Sequence, residues 1–479
     1  MLFNSFSFAV FLPVVFAVYW IIPNKYRWIL LLISSYYFYM SWNVKYVLLI
    51  LFTTGVSYFA AILLEKHNSK KEKNFIVTVT AVLCLGVLFV FKYFNFASES
   101  INSLFRMFSI NLQPITLKLF LPVGISFYTF QTLSYVIDVY RGTVTAEHNF
   151  GYYATFISFF PQLVAGPIER TSNLLPQIKK HHVFDYTQAT YGLKLMAWGY
   201  FKKIIIADVI SEYVSLVYDC PQNYHGFALV LASLFFTVQI YCDFSGYSDI
   251  AIGVAKLLGI NLMTNFKSPY FSQSIKEFWS RWHISLSVWF RDYVYIPLGG
   301  NRVKKFRNCI NLLITFLASG LWHGADWTFV AWGGVHGIAQ IIEKLIFTKK
   351  NQKVSGAKKW IKIICVFIFC VFSWVLFVSN SISDAGYVLM HLFDGIGNPV
   401  NYLLIGLSDI DIGSKNLLKV LFSVTLLAVF DYFSLKKDVI SYISSKKKVV
   451  RWIIYFGFLA WIFFNFPAEK STEFIYFQF

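Results

Sequence analysis

An all-helical protein that crosses a membrane many times is the fold class this sequence predicts, and three observations predict it. Of its 479 residues, 57% are hydrophobic and only 14% charged, against about a quarter charged in soluble domains. So few charged side chains cannot cover a water-facing surface. Apolar runs close to the roughly 20 residues that span a bilayer recur along the whole chain. Basic residues gather in the short loops between those runs.

The distribution of charge settles its meaning. The net charge is +18, and 14 of those charges lie in three loops: +3 over 66–74, +6 over 347–362 and +5 over 436–451. Short loops rich in Lys and Arg stay in the cytoplasm, so the charge sets orientation and no nucleic-acid partner is implied. The stretch 380–415 holds Asp384, Asp394, Asp409, Asp411 and a single lysine, and reads as an external loop. Six scattered cysteines show no metal-finger or redox spacing and are expected to act as small hydrophobes, with neither disulfide nor metal.

The first helix, 2–22, has no positive n-region and no small-residue cleavage site, so a retained helix is expected rather than a signal peptide. Apolar runs 27–41, 44–65 and 75–95 follow, the last two flanking a basic loop. The middle of the chain is different. Its runs, 118–140, 151–165, 187–218, 226–245, 246–259, 276–298, 308–322 and 326–347, are interrupted by Pro122, Gly124, Pro161, Gly166-Pro167, Gly246, Pro269, Pro297, Gly299-Gly300 and Gly320. Broken backbone at membrane depth persists only where protein or a watery cavity satisfies its polar groups. The site is therefore expected between about 120 and 345. Runs 359–379, 416–434 and 450–466 complete the chain. An N-terminus outside puts all three basic loops in the cytoplasm and the acidic loop and C-terminal tail outside. One integral-membrane domain is expected, with N-terminal helices over 1–115, a core over 116–345 and C-terminal helices over 346–479.

Three histidines lie in or beside apolar segments, where ionisable residues are costly and mark function by default. His323 sits in LWHGADW (321–327), followed by Gly324, which permits a helix end with close substrate approach. Its titration range suits a general base; a histidine that merely caps a helix fits the pattern equally. His283 lies in an amphipathic stretch, 278–302, where Trp279 would share its helical face at i, i+4, with Trp282 and Trp289 nearby. A re-entrant site or an interfacial anchor both account for it. His336, in WGGVHG, is flanked by small residues that favour close helix packing. YCDFSGYSDIAIG (241–253) places Asp243 and Asp249 beside Gly246, as substrate contacts, ion ligands or partners of Arg281 or Arg291. Glu169-Arg170 reads as a structural ion pair at a helix end or as part of a site. The substrate contacts expected around His323 and His283 are Trp279, Arg281, Trp282, Trp322, Asp243, Tyr247 and His336. Nucleophile-elbow, phosphate-loop, dinucleotide and zinc-protease signatures do not occur, which leaves an intramembrane base working without a bound cofactor.

Six segments, in order, resemble the membrane-bound O-acyltransferase (MBOAT) family, in its bacterial branch that decorates cell-surface polymers. They are LPVGISFYTFQTLSYVIDVYRG (121–142), FFPQLVAGPIER (159–170), YCDFSGYSDIAIG, FWSRWHISLSVWFRDYVYIPLGGNR (278–302), LWHGADWTFVAWGGVHG (321–337) and the terminal FIYFQF (474–479). The resemblance implies a ring of about 11–14 transmembrane helices, with re-entrant or interfacial helices, around a thinned centre where a cytoplasmic and an external funnel meet. It implies that His323, in the family's WHG motif, is the catalytic histidine and that His283, in W-x-x-W-H, is the second. It implies transfer of an acyl group from a thioester, acetyl-CoA, to a hydroxyl. Acetyl would move toward an external polysaccharide, such as alginate, or peptidoglycan, at a bacterial inner membrane, with a separate extracytoplasmic acetyltransferase as partner. D-alanyl transfer to teichoic acid from a carrier protein is the alternative within the family. A secondary transporter with Asp243, Asp249 and Glu169 as ion sites is the alternative from another class, although no inverted repeat is visible.

Overall fold

The computed structural model describes residues 1–110, 113–164, 166–346, 355–465 and 474–475. Helices make up the regular structure of these residues. Among them, five are long and apolar enough to cross a membrane: Val44–Lys66, Lys70–Met107, Phe227–Leu257, Ala357–Val378 and Ser414–Ser434. Shorter apolar helices such as Phe6–Ile21 accompany them. The chain is a polytopic all-α membrane protein. Part of the basic loop 347–362 and most of the terminal FIYFQF lie outside the described residues.

Several helix boundaries differ from expectation for local reasons. The run 118–140 becomes helical only at Ile125 (Ile125–Tyr140), because Gly124 turns the chain at φ +75. A Cβ at Gly124 would meet the Leu163 carbonyl oxygen at 2.6 Å, so only glycine fits. The run 151–165 splits into Phe150–Ser158 and Phe160–Leu163. Pro161 occupies the first turn of the second piece, where a missing N–H costs nothing, and Ser35 Oγ accepts the Phe160 N–H at 3.0 Å. Runs 226–245 and 246–259 are one helix, Phe227–Leu257. Gly246 does not break it. A Cβ there would lie 2.8 Å from the Gly199 carbonyl oxygen, so the residue exists to let two backbones approach. Stretch 380–415 contains two helices, Ile382–His391 and Pro399–Asp409. Ser381 and Asn398 cap them, accepting from Asp384 N and Asn401 N at 3.0 and 3.2 Å.

The chain forms two compact units that do not follow chain order: Met1–Met196 with Ile250–Met263, and Ala197–Asp249 with Thr264–Phe479. In the first, the rings of Tyr135 and Tyr153 meet at 4.5 Å, and Tyr153 shares a hydrogen bond of 2.6 Å with Ser57. Glu169 is fully buried there. Its carboxylate takes hydrogen bonds from the Met263 N–H at 2.5 Å and the Asn173 amide at 2.7 Å, neutral donors in place of the expected ion pair.

Burial pushes the Glu169 carboxyl up to about 7, against the opposing pull of those hydrogen bonds. A raised carboxyl favours the folded state while it is protonated. That contribution is complete below the ordinary value of 4.5 and is lost as pH climbs to about 7. Glu169→Gln, which mimics the protonated form, should therefore gain stability relative to wild type as pH rises through this window. Thermal unfolding in detergent at a series of pH values checks it; a difference independent of pH would mean that Glu169 is ionised throughout.

Candidate active site

All nine residues expected at the site belong to the second unit. His323 is the last residue of the helix Lys305–His323, which turns at Gly324 into Trp327–Ile346. The two helices pack almost backbone to backbone. A Cβ on Gly320 would fall 2.2 Å from the Phe329 carbonyl oxygen, and one on Gly333 would fall 2.3 Å from that of Phe316. Gly324 lies under the Phe329 ring, 2.1 Å from any added Cβ. The glycine after His323 thus serves the hairpin itself. The His323 ring, almost wholly buried, stands between Trp322 at 5.0 Å, Trp332 at 5.1 Å and Phe377 at 5.5 Å.

The expected helix 276–298 is absent as a single element. It is two short helices, Ile275–Arg281 and Ile284–Phe290, followed by a wide turn over Arg291–Tyr295. His283 sits at the joint with φ +41 and ψ 54. Trp279 and His283 consequently do not share a helical face. The His283 ring is fully buried against Phe244, edge to face at 4.5 Å, and lies 6.3 Å from the His323 ring. The structure brings the two central histidines together from separate helices 40 residues apart in sequence.

The other candidates divide clearly. Trp322 stands 6.0 Å from His283 and adjoins His323. Trp279 donates its indole N–H to His336 Nδ1 at 3.2 Å, and His336 Nε2 shares a bond with Ser373 Oγ at 3.1 Å. With both ring nitrogens engaged, His336 holds Trp279 in place. Trp282 packs on Trp374 at 5.0 Å. Arg281 pairs with Glu277 one turn back at 2.5 Å, and Arg291 pairs with Asp292 at 2.7 Å.

Neither arginine reaches the two aspartates. Asp243 binds Lys203 at 2.6 Å, and Lys203 also holds Asp208 at 2.8 Å. Asp249 binds Lys202 at 2.6 Å, which also donates to Ser245 at 2.8 Å. The lysines stand side by side in a π-helical turn, Phe201–Ala207, a local widening that often marks functional regions. The second Asp243 oxygen accepts the Ile475 N–H at 2.7 Å. Phe474 lies on the Tyr247 ring at 4.8 Å and on Phe244 at 5.6 Å, so residues 474–475 sit next to the ring that touches His283. Lys202 and Lys203 were not among the sequence candidates. Two adjacent lysines inside an apolar run were the available signal.

A cavity of ≈ 2310 Å³ opens in this unit, lined in part by Trp279, Phe316, Ser319, Lys344, Lys359 and Lys362. Ser319 and Ile284 on its wall neighbour the two histidines along the chain, one helical turn before His323 and directly after His283.

Fold and site define a polytopic membrane enzyme whose polar chemistry is gathered in its interior. The description "MBOAT, membrane-bound O-acyltransferase family" matches residues 145–383. Over 386 residues the chain is 40% identical to the probable alginate O-acetylase AlgI of Pseudomonas aeruginosa, covering 80% of this chain and 72% of that one. It is 34% identical to the peptidoglycan O-acetyltransferase of Helicobacter pylori, covering 81% and 79%. Its identity to the teichoic acid D-alanyltransferase of Streptococcus thermophilus is 31%, over 51% and 65%. The chain belongs to the membrane-bound O-acyltransferase family.

Proposed function

We propose that this enzyme takes an acetyl group from a cytoplasmic thioester, acetyl-CoA, and passes it across the inner membrane toward hydroxyls of an extracytoplasmic polysaccharide or peptidoglycan. The observation that carries the chemistry is the buried pair His283 and His323, 6.3 Å apart, beside a cavity large enough for a nucleotide thioester. Lys344, Lys359 and Lys362 on its wall suit the phosphates of such a donor. With the N-terminus outside, these lysines face the cytoplasm.

In the reaction, neutral His323 takes the proton of the attacking hydroxyl as its oxygen bonds to the thioester carbonyl carbon. The carbon–sulfur bond then breaks, and the imidazolium returns the proton to the leaving thiolate. His283 orients a reactant or stabilises charge on the carbonyl oxygen. The chemistry needs no bound cofactor. Delivery to the polymer is completed with an extracytoplasmic transferase. Acetyl is favoured over D-alanyl because the acetyltransferase relatives align over about four-fifths of this chain and the D-alanyltransferase over about half.

Deleting the gene and measuring ester-linked acetate and D-alanine released by mild base from the cell envelope tests the assignment. Acetate should disappear from one polysaccharide or from peptidoglycan while D-alanine esters persist. Unchanged acetate with lost D-alanine would overturn it in favour of the carrier-protein donor.

A further inference from the structure

The joint that holds His283 is built by a residue from another part of the chain. A side chain with a Cβ rarely takes φ +41, and such strain persists where surrounding contacts enforce it. Asn265, fully buried, supplies those contacts. Its backbone carbonyl accepts the Ile284 N–H at 2.9 Å. Its side-chain Oδ1 accepts the Ser285 N–H at 3.2 Å and the Ser285 hydroxyl at 2.9 Å. The first two N–H groups of the helix Ile284–Phe290, which have no partner inside the helix, are thereby capped from outside. The same Oδ1 lies 3.1 Å from His283 Nδ1, and the Asn265 amide group donates to Ser248 Oγ at 3.3 Å.

This set of bonds fixes hydrogens. The Ser285 backbone N–H can only donate, so the Asn265 atom it meets is the oxygen and the amide cannot be flipped. That oxygen can only accept. His283 Nδ1, facing it at bonding distance, therefore carries the proton. A neutral imidazole has one N–H, so Nε2 carries the lone pair.

We propose that Asn265 is a positioning residue that fixes the tautomer of His283, committing the neutral ring to meet the reactants through Nε2 as a hydrogen-bond acceptor. Resting on the acyl-transfer reading above, this chooses between the two roles given to His283. A neutral ring in this tautomer cannot donate to the developing oxyanion. It takes an O–H or N–H donor of a reactant, such as a hydroxyl beside the one being acylated. The expected ligand class at this nitrogen is thus a polyhydroxylated acceptor.

Two measurements test it. In histidine-only 15N-labelled protein in lipid bilayers, the signals of His283, assigned by their loss in His283→Gln or by their shift in Asn265→Asp, should show a protonated Nδ1 and an unprotonated Nε2 at neutral pH. The reverse pattern overturns the proposal. In thiol-release kinetics, Asn265→Leu should lower kcat per folded molecule by roughly 10–100-fold, by analogy with the loss of a hydrogen-bond partner that orients a metal-ligating histidine, with little change in KM for acetyl-CoA. Asn265→Asp, which keeps the acceptor and the cap, should restore most of the rate. A purely structural Asn265 would instead reduce the yield of folded protein and leave kcat per folded molecule unchanged. Should wild-type protein release no thiol, acyl transfer itself fails, while the nitrogen spectrum still reports the tautomer.

Discussion

His323→Ala should lower acetyl transfer by roughly 10²–10⁴-fold, the contribution of a positioned general base, while the protein still folds. The folding half of the expectation comes from the surroundings. His323 lies at a helix terminus among the rings of Trp322, Trp332 and Phe377, and the hairpin that carries it is held by the Gly320–Gly333 contact rather than by the imidazole. The catalytic half comes from its place beside His283 and one turn beyond Ser319 of the cavity wall. His323→Gln preserves more of the side-chain volume but cannot act as a base at neutral pH, so it separates loss of chemistry from loss of packing. Both variants should run as folded monodisperse protein and both should be inactive. Activity retained by either would remove His323 from the mechanism.

Lys203→Met should destabilise the second unit by about 3–5 kcal/mol, the cost of breaking a buried pair by removing one partner. The Lys203 ammonium lies 2.6 Å from Asp243 and 2.8 Å from Asp208, and deleting it leaves the buried Asp243 carboxylate and the half-buried Asp208 carboxylate without their cation. Asp243 also receives the Ile475 N–H, so Phe474 and Ile475 should loosen together with the core. The double variant Lys203→Met/Asp243→Asn should recover part of the loss, because the uncompensated charge goes with it; contacting residues commonly couple by about 0.5–3 kcal/mol. Thermal unfolding in detergent, with the fraction surviving size exclusion, measures both. A Lys203→Met variant as stable as wild type would show that this pair does not hold the fold.

How legible the molecule was depends on the range of the interaction involved. Spanning helices such as 359–379 and 416–434 could be read closely, because apolar length alone specifies them. Gly246 could not, since an isolated glycine in an apolar run means either a break or a close approach, and the carbonyl of Gly199 that decides the matter lies 47 residues away. The same limit applies to His283. Its segment has helical composition throughout, yet one helix stops at Arg281 and Asn265 caps the start of another at Ile284. The aspartates drew attention as charges at membrane depth, but the sequence pointed to nearby arginines, which have partners of their own in Glu277 and Asp292. Lys202 and Lys203 became the actual partners because a π-helical turn faces both inward, a backbone detail with no composition of its own. The motifs single out the two central histidines, and only the fold shows that their rings lie 6.3 Å apart.

The most direct test of the central claim is thiol release from radiolabelled acetyl-CoA by purified protein in lipid nanodiscs, wild type against His323→Ala. Intramembrane acyl transfer predicts that wild type frees CoA thiol and the label leaves the thioester, while His323→Ala leaves acetyl-CoA intact. A wild-type protein that binds or moves acetyl-CoA without ever cleaving its thioester bond would contradict it.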